Sequence, residues 1–383
     1  MTPAAQAAAL ADVTARRTVE LAQLPAPTGQ EGARRELVRS WWQADGWAGV
    51  RADEVGNLWA RVRPGPGPAV VVCAHLDTVF DSGTDHRVRR DGTLLRGPGV
   101  GDDSVGVAAL SALGTLVAAE PGTIPVWIVA TVGEEGLGNL RGITEVVRQD
   151  RVPLAAVVAI EGNYLGRVAT TGVGSVRWRV TVAGPGGHAW EQAAAPSAVH
   201  AAAEMVTALG RLISPPVSEP GAGGAGEAVT ESVNVGLMHG GEAVNARARR
   251  AEFVVDLRAT SAAALADLEA RARAAIRSPD EQLTVEVEEL GRRPAGELAR
   301  THPLAAAAAA ALRAAGLPAA FTAASTDANA AHAAGVPAIA IGVTTGAGEH
   351  TPGEWIDVAP LATGLGCAAA TIAGWEGVAR DGA

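Results

Sequence analysis

The stretch Val70-Val71-Val72-Cys73-Ala74-His75-Leu76-Asp77 decides the fold class, because an unbroken apolar run passes directly into two polar side chains. A short continuous apolar run is typical of a strand that is buried on both faces. The same pattern recurs where residues 126–130 lead to Glu134-Glu135 and where residues 156–160 lead to Glu161. The ends of such strands are where an α/β sheet presents side chains to a ligand, so we expect these polar residues to form a site.

Strands and helices alternate along both ends of the chain. This alternation predicts an α/β fold with a mainly parallel sheet that helices cover on both faces. The predicted strands are residues 57–63, 69–74, 125–132, 155–160 and 337–341, and the predicted helices are residues 4–24, 31–45, 105–118, 139–149, 303–315, 327–334 and 359–375.

The middle of the chain has a different pattern. Alternating apolar and polar residues predict four strands, and two helical stretches complete the order βαββαβ, which favours an antiparallel sheet with two helices on one face. We therefore predict an α+β domain inserted at about 174–292 into a catalytic domain formed by 1–173 and 293–383. The predicted strands are 176–182, 232–237, 251–257 and 283–287, the helices are 198–212 and 262–277, and a Pro/Gly-rich loop occupies 214–226.

Composition excludes several classes of protein. The 383 residues carry 41 acidic and 31 basic side chains, and a net charge of −10 argues against a general binder of nucleic acid or anionic membranes. No apolar run reaches the ~20 residues of a membrane span, and the N-terminus lacks the pattern of a signal peptide. Cys73 and Cys367 lie far apart and form no CxxC pair, which indicates two free thiols. We expect a cytoplasmic protein that binds neither nucleic acid nor membrane.

Five sets of residues that could bind a metal follow one another along the chain. Two His and three carboxylates would suit a pair of Zn²⁺ ions with one bridging carboxylate. Adjacent acids at a strand end point in different directions, so one of them could bind metal while its neighbour accepts a proton from a bound water. The five sets are His75-Leu76-Asp77, Gly101-Asp102-Asp103, Gly133-Glu134-Glu135-Gly136, Ile160-Glu161-Gly162 and Glu349-His350-Thr351.

Each set alone also has an ordinary explanation. His75 could be a strand-end histidine with common hydrogen bonds, Asp102 a helix N-cap, and Glu134-Glu135 a solvated acidic turn. A nucleotide-binding loop is a competing interpretation of the glycine-rich residues 97–101, but no GK[ST] follows them and GxGxxG is not matched. It is the ordered combination that favours a metal site.

The ordered series resembles the M20 family of metallopeptidases and amidohydrolases over nearly the whole chain. That family includes glutamate carboxypeptidase, tripeptidase, aminoacylase and succinyl-diaminopimelate desuccinylase. The motifs that carry the resemblance are His75-Leu76-Asp77-Thr78-Val79, Gly101-Asp102-Asp103, Gly133-Glu134-Glu135-Gly136, Glu161, Gly186-Gly187-His188-Ala189 and His350-Thr351-Pro352.

The resemblance implies a zinc-peptidase-like catalytic domain with two Zn²⁺ ions, for which Co²⁺ or Mn²⁺ could substitute. His75, Asp102 and Glu161 match the family's ligands of one ion. Asp102, Glu135 and His350 match the ligands of the other, so Asp102 is the implied bridge.

Two further roles in the first domain follow from the resemblance. Glu134 matches the general base that acts on a metal-bridging water, and Asp77 matches the partner that orients the ligand His75. Asp77 is also placed to do this because it follows His75 by two residues in extended chain.

The resemblance also assigns the inserted domain as a lid and dimerisation domain. His188 matches a residue that reaches the active site of a neighbouring subunit and stabilises the oxyanion. Asn245 and Arg258 match residues that hold a substrate carboxylate or the oxyanion, and the loop of Gly346 resembles a substrate-facing loop. Ser104-Val105-Gly106 lacks the Lys that often precedes this glycine in the family, which leaves the substrate preference open.

We therefore expect a homodimeric di-zinc hydrolase that cleaves an amide bond in a small peptide or an N-acyl amino acid. One alternative is a deacylase specific for N-acyl amino acids, such as a deacetylase or desuccinylase. A catalytically silent binding protein with the same architecture is the alternative from another class.

Overall fold

The computed structural model of the protein describes residues 3–149, 151–213, 230–277 and 280–381. It divides into two compact units, of which the first comprises Met1–Gly172 with Glu297–Ala383 and the second comprises Val173–Gly296. The predicted Pro/Gly-rich loop at 214–226 lies outside the described residues.

A large mixed sheet forms the centre of the first unit. Its four middle strands run parallel, and all four were predicted from their apolar runs. A helix lies between Ala69–His75 and Val126–Thr131, and another between Val126–Thr131 and Leu154–Ile160, as parallel pairing of these strands requires. Antiparallel strands flank them, and one further strand adds in parallel beside Arg167–Gly172. The strands, in sheet order, are Ala48–Ala52, Leu58–Arg63, Val126–Thr131, Ala69–His75, Leu154–Ile160, Ala338–Ile341, Arg167–Gly172 and Gly296–Glu297, and Ala320–Ala324 pairs with Arg167–Gly172 outside this order.

Helices cover both faces of this sheet and bury two separate cores. The strand Ala69–His75 shows how the alternation works, since Val70 and Val72 face one core whereas Val71 and Cys73 face the other. The mainly parallel, doubly covered α/β fold expected from the sequence is therefore confirmed. The helices of this unit are Pro3–Ala22, Gly32–Ala44, Val105–Ala119, Gly136–Gly138, Arg141–Arg148, Pro303–Ala314, Ala328–Ala333 and Leu361–Asp381.

A second, smaller sheet of the first unit was not predicted. Its strands have three residues each, which is too short for an alternating pattern to be recognised. It brings residues from the first third of the chain beside residues that follow strand Ala338–Ile341. In sheet order the strands are Thr345–Ala347, Trp355–Asp357, Leu94–Arg96 and Arg89–Asp91.

The stretch Val100–Ala119 is long and apolar enough to cross a membrane by length and composition. However, 83% of its most apolar window is buried inside the protein, as in the core helix of a globular domain. Val105, Leu110 and Leu113 are all fully buried in the larger of the two cores of the first unit.

The second unit contains the predicted antiparallel sheet with two helices. Side chains of alternate residues, such as Val176, Trp178 and Val180, enter one apolar core against the helices. In sheet order the strands are Glu231–Gly240, Arg250–Ala259, Gly174–Ala183 and Thr284–Arg293, the helices are Ala198–Gly210 and Ala262–Ala275, and a separate two-residue ladder pairs Gly187–His188 with Ala246–Arg247.

The chain leaves the first unit after Gly172 and returns to it at Glu297. The short strand Gly296–Glu297 marks the return. The backbone N–H of Leu298 donates to the carbonyl oxygen of Thr170 at 2.8 Å, so the two points of exit and return are hydrogen-bonded neighbours in the first unit.

Candidate metal centre

The parallel strands of the first unit place two of the predicted residues, His75 and Glu161, at one edge of the sheet. His75 is the last residue of Ala69–His75 and pairs in register with Thr131 of the neighbouring strand. Glu161 follows Ile160 directly, and its backbone N–H donates to the carbonyl oxygen of Ile341 at 2.9 Å. The carboxyl ends of parallel strands are the usual position for a ligand site in an open α/β sheet.

Asp102 stands between the two histidines. It lies in the turn Val100–Ser104, which Gly99 enters with a left-handed φ of 67° that favours glycine. Its Oδ1 is 2.9 Å from Nε2 of His75, and its Oδ2 is 3.1 Å from Nε2 of His350. Nε2 of His350 is also 3.2 Å from Oε1 of Glu135. A single carboxylate thus faces both imidazoles.

Two sets of potential metal ligands result, and they share Asp102. In the first set, one ligand atom from each of His75, Asp102 and Glu161 lies within 4.8 Å of the others, and the same holds for Asp102, Glu135 and His350 in the second set. A further combination of His75 with Glu134 and Glu135 also meets this criterion. The structure therefore brings together all five residues that the resemblance implied as ligands.

The chemistry of these side chains fits divalent cations. Imidazole nitrogen and carboxylate oxygen are the ligands that Zn²⁺ accepts in catalytic sites. Glu135 is only 5% exposed, and its buried Oε1 lies 3.2 Å from Nε2 of His350. A buried carboxylate is costly unless a positive charge lies beside it.

The pKa values of several site residues are raised, which indicates an excess of buried negative charge. Burial alone would lower the pKa of His75, but the hydrogen bond and charge of Asp102 outweigh it and raise that pKa well above its ordinary value. Hydrogen bonds to Asp102 and Glu135 raise the pKa of His350 to about 10. Burial, assisted by the charges of nearby acids, raises the pKa of Glu161 well above its usual range. Divalent cations would supply the missing positive charge and reverse these shifts.

Asp77 contacts the site through both its backbone and its side chain. Nδ1 of His75 lies 3.0 Å from the backbone carbonyl oxygen of Asp77 but 3.8 Å from its Oδ1, so the carbonyl is the atom that orients the imidazole. The carboxylate instead accepts backbone N–H groups from Glu134 at 3.0 Å and Glu135 at 2.9 Å, and the hydroxyl of Thr28 at 2.9 Å. Asp77 therefore fixes the turn that carries the paired acids.

Asp103, the neighbour of the shared carboxylate, joins three parts of the site. The peptide bond between Asp102 and Asp103 is cis. The fully buried Asp103 carboxylate accepts the backbone N–H of Gly162 at 3.0 Å and that of His75 at 3.3 Å. A Cβ atom at Gly106 would lie only 2.0 Å from Oδ1 of Asp103, so this position has no room for a side chain.

Glu354 was missed by the sequence analysis. It is fully buried and accepts three backbone N–H groups of the glycine-rich turn, from Gly99, Gly101 and Asp102. Burial raises its pKa to about 8, an effect that the charge of Asp102 increases and the three N–H groups oppose. Glu354 follows His350 by four residues, but it lies on no periodic element and so gave no signal in the sequence.

Arg34 is a second residue without a sequence signal. It lies on the helix Gly32–Ala44 and is fully buried, although arginine on such a helix normally faces solvent. Its Nε donates to the carbonyl oxygen of Leu24 at 2.9 Å, and a terminal nitrogen donates to that of Leu76 at 3.1 Å. Leu76 separates His75 from Asp77, so Arg34 anchors the backbone of this motif. Burial lowers the pKa of Arg34 to about 10, against the charge of nearby acids.

His188 belongs to the second unit and is exposed to solvent. Its short strand pairs with Ala246–Arg247, and Ala189 donates its N–H to the carbonyl oxygen of Asn245 at 2.9 Å. The backbone N–H groups of Trp190 and Glu191 both point to Nδ1 of His188 at 3.4 Å. Since Nδ1 accepts these contacts, the tautomer that they favour carries its proton on Nε2.

The remaining predicted substrate residues have different surroundings. Asn245 is exposed in the turn before Ala246–Arg247 of the second unit. In the same unit, Arg258 donates to Oδ2 of Asp256 from Nε at 3.1 Å and from a terminal nitrogen at 2.9 Å. Gly346 lies in the small sheet of the first unit, where a Cβ atom would be 2.3 Å from the carbonyl oxygen of Trp355. Their roles stay predictions.

The model of peptidase family M20/M25/M40 matches residues 71–374, a region that includes every predicted site residue. The chain belongs to this family. The resemblance recognised from the motifs is thereby confirmed, and membership supports the expectation of a metal-binding hydrolase.

One curated relative is a probable carboxypeptidase from Neosartorya fischeri. The alignment shows 26% identity over 255 residues, which are 59% of this chain and 57% of the relative. The matched part of the chain thus spans a little more than half of that protein.

Two solved structures are similar over almost their whole length. A tripeptidase from Staphylococcus aureus has a TM-score of 0.77 at 20% identity, with 97% of this chain and 99% of that chain covered. The YXEP protein of Bacillus subtilis, described as a dinuclear metal binding peptidase from the M20 family, has a TM-score of 0.65 at 15% identity, with 96% and 99% covered. At these identities the likeness shows a shared fold.

Proposed function

We propose that the protein is a di-zinc hydrolase that cleaves an amide bond in a small peptide or an N-acyl amino acid. The observation that carries this proposal is the pair of ligand sets that share Asp102. Family membership and the dinuclear relative of the same fold support it. Co²⁺ or Mn²⁺ could replace Zn²⁺, because the same imidazole and carboxylate ligands suit these ions.

The first unit supplies the groups that hold the cations. His75, Asp102 and Glu161 would hold one ion, and Asp102, Glu135 and His350 would hold the other. When bound, the pair of cations would polarise the amide carbonyl and lower the pKa of a water molecule.

Glu134 moves the proton in the proposed reaction. Its carboxylate accepts a proton from the attacking water and delivers it to the nitrogen of the cleaved amide bond, which leaves as an amine. It is 5% exposed, and its backbone N–H donates to Oδ1 of Asp77, so the backbone that carries the base is fixed. Asp77 therefore acts as a positioning residue for Glu134 and, through its carbonyl, for His75.

The second unit is proposed to act as a lid and as the dimerisation domain. His188 of one subunit would donate its Nε2 proton to the oxyanion in the active site of the other, a role that the two contacts at Nδ1 favour. Asn245 and Arg258 would help to hold a substrate carboxylate or the oxyanion. Gly346 would belong to a loop that faces the substrate.

A reducing compartment suits this chain. Cys73 and Cys367 are both buried and free. We propose a cytoplasmic location on that ground.

A substrate panel tests the proposed function. The metal-free protein is supplied with Zn²⁺, Co²⁺ or Mn²⁺ and assayed on dipeptides, tripeptides, and N-acetyl and N-succinyl amino acids, each with a free or an amidated C-terminal carboxylate. We expect metal-dependent hydrolysis of at least one class, with a preference for the free carboxylate. Cleavage of the acyl compounds alone would identify a deacylase. Binding of metal without hydrolysis of any compound would contradict the proposal and favour the silent binding protein.

A further inference from the structure

We propose that Glu354 is a positioning residue that couples the shared ligand Asp102 to the His350 turn, so that the second metal position depends on it more than the first. This inference rests on the di-metal centre proposed above. It deepens that proposal, because it states that strand ends hold most ligands of the first metal position, whereas loops joined by Glu354 hold most ligands of the second.

The side chain of Glu354 holds the backbone on both sides of the glycine-rich turn. Its Oε1 accepts the N–H of Gly101 at 2.6 Å and that of Asp102 at 2.8 Å, while its Oε2 accepts the N–H of Gly99 at 2.9 Å. Both carboxyl oxygens act as acceptors here, so the side chain binds three backbone N–H groups of one turn at once. The packing is close, since a Cβ atom at Gly101 would lie 2.9 Å from Oε1 of Glu354.

The backbone of Glu354 ties the same turn to the loop that carries His350. Its carbonyl oxygen accepts the N–H of Gly97 at 2.9 Å, and its own N–H donates to the carbonyl oxygen of Thr351 at 3.1 Å. Thr351 in turn donates its N–H to the carbonyl oxygen of Gly348 at 3.1 Å, and this hydrogen bond closes the turn that contains His350. One residue therefore fixes the loop of His350 and the loop of Asp102 against each other.

The two ligand sets depend on this coupling to different extents. His75 and Glu161 lie at the ends of central strands, where the pairing of His75 with Thr131 and the hydrogen bond from Glu161 to Ile341 fix them independently. In the other set, Asp102 and His350 both lie on the loops that Glu354 joins. Loss of the Glu354 side chain should release the loop of Asp102 from the turn of His350, so that two of three ligands in the second set change their relative position, whereas in the first set only Asp102 moves.

Stepwise metal titration of the full chain tests this inference. Metal-free wild type, Glu354→Ala, Glu354→Gln and the control Glu36→Gln are titrated with Zn²⁺ and with Co²⁺ by calorimetry, and the bound metal is counted by mass spectrometry. Glu36 is a suitable control because its side chain is 56% exposed and pairs with neighbouring arginines of its helix.

We expect wild type and the control to bind two equivalents with the same affinities. In Glu354→Ala the second equivalent should bind about 10- to 100-fold more weakly, as is common when a residue that supports a ligand is lost, while the first changes by less than about threefold. Glu354→Gln should have a smaller effect, because its amide oxygen still accepts from Gly101 and Asp102 while its NH₂ group faces the N–H of Gly99.

Each other outcome overturns a defined part of the inference. Equal weakening of both equivalents, or no weakening of either, would refute the selective role of Glu354 and leave the proposed function intact. Fewer than two equivalents in wild type would refute the di-metal centre and this inference with it. Circular dichroism of the metal-free variants checks the fold, and if Glu354→Ala does not fold, the stepwise affinities of Glu354→Gln decide.

Discussion

The candidate metal centre of the first unit and the His188 turn of the second unit hold their functional side chains in opposite ways. Three site residues of the first unit, His75, Glu134 and Glu161, are each less than a tenth exposed. The backbone N–H of each donates a hydrogen bond that fixes the backbone at that residue. His188 is exposed. Its backbone is held by a two-residue ladder and by hydrogen bonds with Gln192, whereas its imidazole makes only long contacts, to Nδ1, among those of the described residues. The first arrangement is rigid before any substrate binds.

This difference indicates which catalytic groups one chain can position without a partner. Buried acids around buried imidazoles form a site whose electrostatics are already strong, because the surrounding protein excludes water. An exposed imidazole has no such environment until another surface covers it. We therefore propose that the second unit supplies a group whose effect depends on assembly. Four predictions test this division, and a fifth concerns the acid stability of the first unit.

The largest effect is expected when the base of the first unit is removed. Glu134→Gln keeps the shape of the side chain but cannot accept the proton, so kcat should fall by about 10²- to 10⁴-fold. Two equivalents of metal should remain bound, since neither set that shares Asp102 includes Glu134. Enzyme kinetics and metal analysis measure both. Near-normal turnover would refute the base, and loss of metal would show that Glu134 is itself a ligand.

Removing the imidazole of the second unit should have the next largest effect. His188→Ala loses a donor to the oxyanion, so kcat should fall by about 10²- to 10³-fold with metal content unchanged. His239→Ala, another exposed histidine of this unit, serves as the matched control.

Mixing two inactive variants asks whether His188 acts across the dimer. When Glu134→Gln and His188→Ala are dissociated and reassembled together, hybrid dimers contain one site with an intact Glu134 and a partner with an intact His188. Activity should reappear in the mixture. Its absence, in a mixture shown to contain hybrids, would place His188 in the active site of its own chain.

A moderate effect is expected from Asp77→Asn. The amide can no longer accept both backbone N–H groups of Glu134 and Glu135, while the backbone carbonyl that contacts His75 is retained. Catalytic efficiency should fall by about 10- to 100-fold. The control is Asp85→Asn, whose carboxylate pairs with Arg87 at the surface. An unchanged efficiency would show that the turn of the paired acids does not need this support.

The smallest effect concerns acid stability of the first unit. Burial lowers the pKa of His332 to about 4, so between pH 6.5 and 4 the unfolded chain binds a proton that the folded chain does not. The stability contributed by the neutral imidazole is thus present above pH 6.5 and is lost as the pH falls towards 4. The Tm of metal-free wild type should decrease more between pH 7.5 and 5 than that of His332→Gln. Equal decreases would contradict the buried, neutral state of His332.

The sequence predicted those parts of the molecule that repeat a pattern. The central strands and the helices of both units follow from hydrophobic periodicity, and the positions of His75, Glu134-Glu135 and Glu161 follow from the strands that precede them. Asp102 and His350 lie on loops, and only the resemblance to a family assigned their roles before the structure brought them together.

The rest depends on contacts between residues that are distant in the sequence. The sheet that joins Leu94–Arg96 to Trp355–Asp357 is built from strands of three residues, and no local pattern identifies them. The side chains of Glu354 and Arg34 form hydrogen bonds with backbone groups. Every residue has such groups, so the sequence contains no particular partner residue that would reveal these contacts. Nδ1 of His75 lies 3.0 Å from the carbonyl oxygen of Asp77 but 3.8 Å from its carboxylate. Sequence spacing does not determine which of these two groups contacts the imidazole.

The hydrogen bond between Leu298 and Thr170, at the points where the chain leaves and re-enters the first unit, has an evolutionary consequence. Since both points are already neighbours, a short linker could replace the whole of Val173–Gly296 without a change in the register of the sheet. We therefore expect the first unit to keep its sheet and its metal ligands in place when the second unit is altered. Substrate range and assembly, which we propose to depend on the second unit, would then change in evolution without moving those ligands.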